Sequence, residues 1–283
     1  GGLHPRMPGS HYRDLIIAVK ERVPQIHVHA FSPFEIWYGA RRSGASYADF
    51  LSALKEAGLG SLPGTAAEIL DTEVRRQLTR NKLSAEQWVE IITTAHRLGI
   101  RTTATIMYGH VDGPRHWAEH IALLRDIQRD TGGFTEFVPL GFVHYNAPIF
   151  LDGLARPGPS VAENLRMHAV ARIMLHGFIP NIQVSWVKLG VQLAQRCLQV
   201  GANDFGGTLM EETISRSAGA NHGQHMRPQE FRHLIRDIGR VPAQRNTLYE
   251  LLRAHETRPA PASHGDGDPG AFESAFSRVR LRT

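Results

Sequence analysis

Apolar positions along this chain follow two alternating patterns, and these patterns predict its secondary structure. In the longer stretches, apolar residues recur every three or four positions, as on one face of an amphipathic helix. The predicted helices span about 10–22, 46–57, 84–98, 114–129, 160–176, 189–200 and 229–238. Short apolar runs between the helices predict strands near residues 26, 59, 101, 135, 180 and 202.

The clearest helix, 84–98, shows how the sequence specifies a helix start. Ser84 is a typical N-cap and Gln87 completes a capping box. Because each predicted strand follows a helix, the order favours an α/β barrel of parallel strands. Six strands are visible and Gly1-Gly2 would end a seventh, whereas a complete TIM-like barrel has eight. We therefore expect an upstream segment to hold the first strand and most of the second.

The run 26–35 gathers polar groups at the end of a predicted strand. His27 and His29 share one face of the strand, because successive side chains point to opposite sides. The Ser-Pro step that follows takes the chain out of the sheet and leaves Ser32 and Glu35 at the carboxyl end. The histidines are either functional groups or hydrogen-bonded scaffold, and the sequence leaves both interpretations open.

Other predicted strand ends are also rich in polar side chains, which a barrel core of Val, Ile and Leu does not explain. They carry Glu68, Tyr108, His110, Glu136, His144, Gln183, Trp186 and Asp204. In parallel barrels, ligands bind at the carboxyl ends of the strands. The chain then reaches a Gly-Gly-Thr step at 206–208, which is predicted to open a helix with Glu211 and Glu212 near its start. A helix start favours an anion, although a tight turn is an equal alternative.

Composition and charge narrow the function classes. With 283 residues, 42% hydrophobic and 21% charged, the chain fits one large globular barrel or two ordinary domains. The formal charge is +5, but the basic residues are scattered, which argues against nucleic-acid binding. The single cysteine, Cys197, excludes an internal disulfide framework and fits a cytoplasmic protein. No apolar run reaches membrane-spanning length.

Domain boundaries follow from changes in composition along the chain. We expect a barrel over 1–240, a C-terminal extension over 241–257 and a disordered tail over 258–283, because the last part is rich in Pro, Gly, Ser and Asp. The chain opens at Gly1 rather than at a methionine. We therefore expect it to be part of a longer polypeptide.

Histidines at several strand ends suggest one possible chemistry. His27 and His29, together with His110, His144 and Asp204, match the kinds of ligand with which a zinc hydrolase barrel holds metal and water. In such barrels the His-x-His pair should lie on the first strand. Here the opening Gly-Gly places at least one strand ahead of it, which weakens the zinc interpretation.

A second chemistry comes from blocks of sequence that resemble a known family. The blocks are 1–5, 27–33, 63–68, 107–110, 156–158, 181–188 and 203–212. The most specific are PGTAAE at 63–68 and NDFGGTLMEE at 203–212. Over about 1–249 the chain resembles the tyrosine-using radical S-adenosylmethionine half of the FO synthase family. Two menaquinone-pathway enzymes, aminofutalosine synthase and dehypoxanthine futalosine cyclase, share parts of the pattern and are the nearest alternatives.

The resemblance implies a radical SAM (β/α) barrel and a reaction. In the family, a 4Fe-4S cluster cleaves S-adenosylmethionine to a 5′-deoxyadenosyl radical, which attacks L-tyrosine. The 4-hydroxybenzyl group of tyrosine then joins 5-amino-6-(D-ribitylamino)uracil, on the way to the deazaflavin coenzyme F-420. The implied partners are these two substrates and the second radical half of FO synthase, fused or separate. Neither nucleic acid nor a membrane is expected as a partner.

The resemblance also implies roles for residues by their position. S-adenosylmethionine would meet Gly1, Gly2, Ser32, Glu68, Tyr108 and Gly109. The substrates would meet His29, His144, Gln183, Asp204, Glu211 and Glu212. A polyhydroxylated uracil needs many hydrogen-bond partners, which this set supplies. No residue is assigned a catalytic role.

One feature of the family is missing from this chain. The Cys-x3-Cys-x2-Cys loop that binds the cluster is absent, and Cys197 lies in a predicted helix as a small packed side chain. We therefore expect the cluster cysteines upstream and expect the isolated chain to be inactive. A non-catalytic binding module is the alternative of another class.

Overall fold

The computed structural model describes residues 3–79, 82–209, 213–220, 222 and 225–255. Its helices are α1 (His11–Arg22), α2 (Pro33–Ser43), α3 (Tyr47–Glu56), α4 (Thr72–Leu78), α5 (Ala85–Arg97), α6 (Pro114–Thr131), α7 (Pro148–Leu151), α8 (Val161–Met174), α9 (Trp186–Leu189), α10 (Val191–Val200), α11 (Thr213–Ser217) and α12 (Pro228–Asp237). Its strands are β1 (Val28–His29), β2 (Leu59–Leu62), β3 (Arg101–Tyr108), β4 (Phe134–Gly141), β5 (Ala243–Arg245) and β6 (Leu251–Ala254). The seven helices predicted from periodicity are present, with their ends within two residues of the prediction.

Capping boxes set the start of several helices. Ser84 accepts a hydrogen bond from the Gln87 N–H at 3.2 Å, and the Gln87 side chain accepts one from the Ser84 N–H at 2.9 Å, as predicted. An equivalent box starts α2, where the Glu35 carboxylate accepts bonds from the Ser32 N–H at 2.7 Å and from the Ser32 hydroxyl at 2.9 Å. The Ser-Pro step therefore begins a helix that the sequence did not predict, and Ser32 and Glu35 bind each other.

The strands β1 to β4 form one parallel sheet in sequence order. Two single bridges continue this order, one between Phe137 and Ile182 and one between Gln183 and Asp204. All the predicted strand positions thus follow one another in a single parallel set, which is compatible with a TIM-barrel-like fold. The last two are bridges rather than strands, because the chain soon turns into α9 at Trp186 and into a loop after Asp204. Among the described residues the sheet does not close into a barrel.

Helices cover one face of this sheet. Ile106 of β3 is fully buried, and Tyr108 packs edge-on against Trp117 of α6 with ring centroids 5.4 Å apart. Because side chains alternate along a strand, Thr103 and Thr105 point to the opposite side. We call this opposite side of the sheet the inner face. Within the described ranges, no helix combines the length and the apolar character needed to span a bilayer.

The segment after Asp204 forms the tight turn that was predicted as the alternative to an anion-binding helix start. Residues 205–209 are not helical, and the described residues of α11 run from Thr213 to Ser217. Gly206 has a φ of +86°, and its N–H donates to Asp204 Oδ1 at 2.6 Å, so the Gly-Gly-Thr step makes a turn. Several predicted features lie outside the described residues, namely Gly1, Gly2, Glu211, Glu212 and the tail over 258–283.

Candidate active site

Two carboxylates on the inner face meet an arginine and a tyrosine from the C-terminal hairpin of β5 and β6. Glu136 of β4 accepts a hydrogen bond from the side-chain amide of Gln183 at 2.7 Å and another from the Tyr249 hydroxyl. Asp204 accepts a bond from Arg245 Nε. The Arg245 guanidinium also lies 3.9 Å from the Glu136 carboxylate, so it forms ion pairs with both acids. We call Glu136, Gln183, Asp204, Arg245 and Tyr249 the inner cluster.

The inner cluster is largely shielded from water. The side chains of Glu136 and Asp204 are 10% and 9% exposed, and that of Arg245 is 27% exposed. Burial raises the pKa of Glu136 and the Asp204 charge raises it further, whereas the Tyr249 hydroxyl, Arg245 and Gln183 oppose the rise. Burial also raises the pKa of Tyr249 above its ordinary value. The tyrosine therefore stays protonated and donates its hydrogen to Glu136.

The two histidines of the first strand converge on one hydroxyl. His27 Nε2 and His29 Nδ1 each lie 2.7 Å from Ser61 Oγ on β2, which confirms that they share a face. Although His29 keeps solvent contact, the protein around it lowers the pKa of its imidazole, and the charges of His27 and Arg245 lower it further. Burial lowers the pKa of His27 as well. A serine hydroxyl can donate to one neutral imidazole and accept from the other.

The inner cluster lies nearer to the start of β4 than to its end. Glu136 is the third of the eight residues of this strand. The prediction placed Glu136, Gln183 and Asp204 at carboxyl ends. Glu136 instead lies near the start of its strand, where it bonds to Gln183, which pairs with Asp204. Outside the inner cluster, the Arg245 charge contributes to the lowered pKa of His29, although burial is the larger cause.

A second group of candidate residues lies along 63–70, which runs beside β3 toward its carboxyl end. The Met107 N–H donates to the Glu68 carbonyl oxygen at 2.9 Å, so Glu68 lies level with the last residues of β3. Glu68 has a φ of +47°, which is unusual for a residue other than glycine. Its carboxylate pairs with Lys82. Backbone strain of this kind persists only where surrounding contacts hold it.

Close backbone packing and a buried arginine hold this segment. A Cβ on Gly64 would lie 2.0 Å from the Thr103 carbonyl oxygen, so only glycine fits against β3 at this position. Arg75 is 5% exposed and donates to the carbonyl oxygens of Leu83, at 2.6 Å, and of Ala67. Its guanidinium thereby ties the segment to the chain just before α5.

A buried histidine ties the same segment to β3. His120 of α6 accepts a hydrogen bond from the Leu70 N–H at 3.0 Å through Nδ1 and donates to the Thr105 carbonyl oxygen at 3.0 Å through Nε2. This pattern requires the neutral imidazole. Burial lowers the pKa of His120 to about 4, which keeps the ring neutral.

The Tyr108 side chain is directed away from the turn after β3, and the Gly109 and His110 N–H groups of that turn bind Asp112. The Tyr108 hydroxyl donates to Asn164 Oδ1 at 2.5 Å, on the helix-covered side. Gly109 has a φ of +93°, and its N–H donates to Asp112 Oδ1 at 2.9 Å. Asp112 also accepts a hydrogen bond from the Trp117 indole. If this turn binds a cofactor, the contact falls to its main chain.

His144 is not part of the inner cluster. It lies in a separate cavity of about 270 Å³ between the loop after β4 and the helices α8 and α9. Its ring centroid lies 4.2 Å from that of Tyr145 and 4.6 Å from that of Phe150. The cavity is also lined by Lys188 and His222.

The described residues do not form a metal centre. In the ranges described above, no group of three or more His, Cys, Asp or Glu side chains converges on a possible metal position. His27 and His29, which suggested zinc, bind Ser61 instead. Cys197 is fully buried in α10, and burial raises the pKa of its thiol to about 12. It does not fit an iron–sulfur cluster, because cluster iron is held by thiolates.

Three members of the inner cluster were not among the predicted site residues. The sequence placed Glu136 among the polar side chains at strand ends but gave it no ligand, and it placed Arg245 and Tyr249 in an extension beyond the barrel. The signal that could have found the hairpin is Asn246-Thr247 between two short β-prone runs. Nothing in the local sequence indicates that the hairpin reaches Glu136, which is far away along the chain.

Comparison with known proteins adds a family context to this geometry. The family model described as CofH/MqnC C-terminal region matches residues 131–258, a range that includes the whole inner cluster. The FO synthase of Nocardia farcinica is 58% identical over 261 residues, which cover 92% of this chain and 30% of that protein. The FO synthase of Mycobacterium tuberculosis is 59% identical over 254 residues, which cover 90% of this chain and 30% of that protein.

A third relative is matched over most of its own length. The 5-amino-6-(D-ribitylamino)uracil--L-tyrosine 4-hydroxyphenyl transferase of Methanothermobacter thermautotrophicus is 56% identical over 252 residues, which cover 89% of this chain and 69% of that protein. The chain thus spans about 30% of the length of the two FO synthases. Among solved structures, the CcCel6A catalytic domain aligns at a TM-score of 0.34 and 14% identity, over 64% of this chain and 58% of that one. A likeness this weak carries no argument about the fold.

Proposed function

Because this chain belongs to the family of the 5-amino-6-(D-ribitylamino)uracil--L-tyrosine 4-hydroxyphenyl transferases, we propose that it carries the substrate-binding part of a radical S-adenosylmethionine enzyme. The enzyme transfers the 4-hydroxybenzyl group of L-tyrosine to 5-amino-6-(D-ribitylamino)uracil in the synthesis of FO. The observation that carries this proposal is the inner cluster, a shielded group of acids, amide and guanidinium on the inner face of the sheet.

The inner cluster has the chemistry that a ribityl-substituted uracil requires. Its two carboxylates, Glu136 and Asp204, accept hydrogen bonds from hydroxyl groups, while the Gln183 amide and Arg245 donate to oxygen atoms. A hydrogen bond to a charged group contributes about 1.5–3 kcal/mol. His29, whose imidazole is kept neutral by burial and by the charges of His27 and Arg245, is proposed as a further partner. The proposed role of these side chains is to bind and orient the aminouracil.

Glu68 and the main chain of the Tyr108–Gly109 turn are proposed to face S-adenosylmethionine. Both lie at the carboxyl end of β3, where ligands bind in parallel barrels. When bound, S-adenosylmethionine supplies the radical that activates L-tyrosine. Because Cys197 does not fit an iron–sulfur cluster, we assign no step to such a cluster within this chain.

The other predicted site residues have less support. Ser32 caps α2 through its hydroxyl, and His144 lies in a separate cavity. Gly1, Gly2, Glu211 and Glu212 are proposed on family resemblance alone, since they lie outside the described residues. The menaquinone-pathway alternative is weaker, because the relatives compared above carry FO names.

Substitution of Asp204 tests the substrate role. In the complete product of the gene, Asp204→Asn should raise the KM for the aminouracil by about tenfold or more, since about 1.4 kcal/mol corresponds to tenfold. Formation of 5′-deoxyadenosine from S-adenosylmethionine should change much less. Asp126→Asn is the matched control, because Asp126 is an exposed acid on α6. Absence of tyrosine-dependent transfer in the unaltered protein would contradict the proposal, as would an Asp204→Asn variant with unchanged KM.

Substitution of Glu68 tests the cofactor role. Glu68→Gln keeps the shape of the side chain and removes its charge, and we expect a slower formation of 5′-deoxyadenosine. Glu73→Gln is the control, because the Glu73 side chain is 74% exposed on the neighbouring helix α4. Equal rates in the two variants would remove Glu68 from the cofactor site.

A further inference from the structure

We propose that the hairpin of β5 and β6 is part of the substrate site, and that Arg245 is a positioning residue that holds the carboxylates of Asp204 and Glu136 for the aminouracil. This inference rests on the proposed function and extends it to a segment that the sequence placed outside the barrel. Three observations support it, namely the way the hairpin is attached, the shape of its loop and the charges around Glu136.

The hairpin joins the rest of the protein through polar side chains rather than through a hydrophobic interface. In β6, Leu251 is 66% exposed and Leu252 is 59% exposed. Because neighbouring side chains on a strand point to opposite sides, both faces of the hairpin carry an exposed leucine. Arg245 and Tyr249, in contrast, turn inward to Asp204 and Glu136. The position of the hairpin therefore depends on its contacts with these acids.

The conformation of the hairpin loop places the side chains of Arg245 and Tyr249 next to each other. The Asn246 side chain accepts hydrogen bonds from the N–H groups of Leu248 at 3.0 Å and Glu250 at 2.9 Å. Tyr249 has a φ of +68°, a left-handed conformation that is strained for a residue other than glycine. The Arg245 guanidinium lies over the Tyr249 ring, 3.9 Å from its centroid. The strained tyrosine thus supports the arginine from one side.

The positive charge of Arg245 offsets the repulsion between the carboxylates of Glu136 and Asp204. Glu136 and Asp204 lie close enough for the Asp204 charge to raise the pKa of Glu136, so two shielded carboxylates repel each other. Arg245 lies between them and opposes this rise. A guanidinium presents its donors in a fixed planar fork, which a lysine ammonium does not reproduce. Arg245 therefore fixes both the charge and the orientation of the acids that meet the substrate.

The test compares Arg245 with an arginine on the same hairpin, in the complete product of the gene. Arg245→Gln should raise the KM for the aminouracil by about tenfold or more, with kcat changed less than about twofold. Arg245→Lys should raise the KM less than Arg245→Gln does, because lysine keeps the positive charge but lacks the planar fork of donors. Arg253→Gln is the control, since Arg253 is exposed on β6. It should leave KM unchanged.

A double-mutant cycle separates positioning from a merely structural role. If Arg245 acts through Asp204, the rise in KM in the double variant of Arg245→Gln and Asp204→Asn should be smaller than the product of the two single rises. Arg253→Gln and Asp204→Asn should affect KM independently. A lower melting temperature for Arg245→Gln without a change in KM would overturn the inference. So would fully independent effects of Arg245→Gln and Asp204→Asn.

A readout without the reaction separates this inference from the proposed function. If the unaltered protein does not consume the aminouracil, the proposed function fails. The pKa of the Glu136 carboxyl, followed by carbon-13 NMR, then still decides the role of Arg245. Around Glu136 lie Asp204, Arg245, Tyr249 and Gln183. We expect a higher pKa in Arg245→Gln than in Arg245→Lys, and equal values in the two variants would refute the positioning role.

Discussion

Tyr249 donates its phenolic hydrogen to the Glu136 carboxylate, although 113 positions separate the two residues along the chain. The contact joins the C-terminal hairpin to the third residue of β4. Glu136 is shielded from water, so the tyrosine hydroxyl replaces a hydrogen bond that water would otherwise supply. The Tyr249 side chain of the C-terminal hairpin thereby reaches the inner face of the sheet.

Removal of the Tyr249 hydroxyl should weaken the fold. Tyr249→Phe leaves the aromatic ring beneath Arg245 but takes a hydrogen bond from a shielded carboxylate. We expect the apparent free energy of unfolding to fall by about 2 kcal/mol, which is typical of a bond to a charged group. Urea unfolding measures this change. Tyr145→Phe should have almost no effect, because Tyr145 is 56% exposed, and equal losses in the two variants would contradict the expectation.

Acid should destabilise the protein through its buried histidines. Burial lowers the pKa of His96, His120 and His168 from 6.5 to about 4. Between these values the unfolded chain binds more protons than the folded one, so stability falls as the pH drops from about 6.5 to about 4. Each histidine contributes at most about 1.4 kcal/mol per pH unit in this window.

One variant isolates the share of His120 in this acid sensitivity. His120→Gln can keep the bonds to Leu70 and Thr105 but does not titrate. We expect the urea midpoint of this variant to depend less steeply on pH between about 6.5 and about 4 than that of the unaltered protein. His176→Gln should keep the full dependence, since His176 is exposed. The same slope in both variants would show that His120 does not titrate with folding.

Asp112 should be far more important for stability than a surface acid. Its side chain is fully buried and accepts bonds from the main chain of Gly109 and His110 and from Trp117. Although burial alone would raise the pKa of Asp112, the bond and charge of His110 and the bonds from Trp117 and Gly109 hold it below its usual range. We expect Asp112→Ala to cost about 3 kcal/mol in urea unfolding.

The matched control for Asp112 is an acid of the neighbouring helix. Asp126 lies on the surface of α6, where its side chain is 45% exposed and pairs with Arg129. Exposed ion pairs contribute about 0–1 kcal/mol, so Asp126→Ala should leave the urea midpoint nearly unchanged. A similar loss in the two variants would mean that the turn after β3 does not depend on Asp112.

This chain by itself should not assemble a 4Fe-4S cluster. Its one cysteine is buried, and the raised pKa keeps the thiol protonated. Anaerobic incubation with iron and sulfide should therefore leave the visible absorption of such a cluster undetected. The complete product of the gene, treated in parallel, is the comparison. A reducible cluster in stoichiometric amount on the chain alone would show that ligands other than Cys197 hold it.

The sequence predicted regular elements better than it predicted contacts. The Ser84–Gln87 box and the alternation of helices and strands are local signals, and the structure confirms both. The sequence also placed His27 and His29 on one face, since strand alternation fixes this directly. It missed α2, because a Ser-Pro step reads equally well as a strand exit and as a helix start.

The candidate site was only partly predictable for a physical reason. Gln183 and Asp204 were among the candidates, because the family resemblance and their polar side chains on predicted strands both marked them. Arg245 and Tyr249 were not, because an interaction across the whole fold leaves no trace in local periodicity. Tyr108 is a similar case: its position at a strand end is correct, but alternation within β3 directs its hydroxyl to Asn164.

The mode of attachment of the hairpin has a consequence for its motions. A segment with exposed leucines and few apolar contacts opens at a lower free energy than a strand in a packed core. Amide hydrogens of β6 should therefore exchange with deuterium faster than those of β3 and β4. Each opening would withdraw a phenol and a guanidinium from two acids at once and briefly admit solvent between them. The rate at which the hairpin opens therefore sets the lifetime of the contacts of Glu136 and Asp204 with Tyr249 and Arg245.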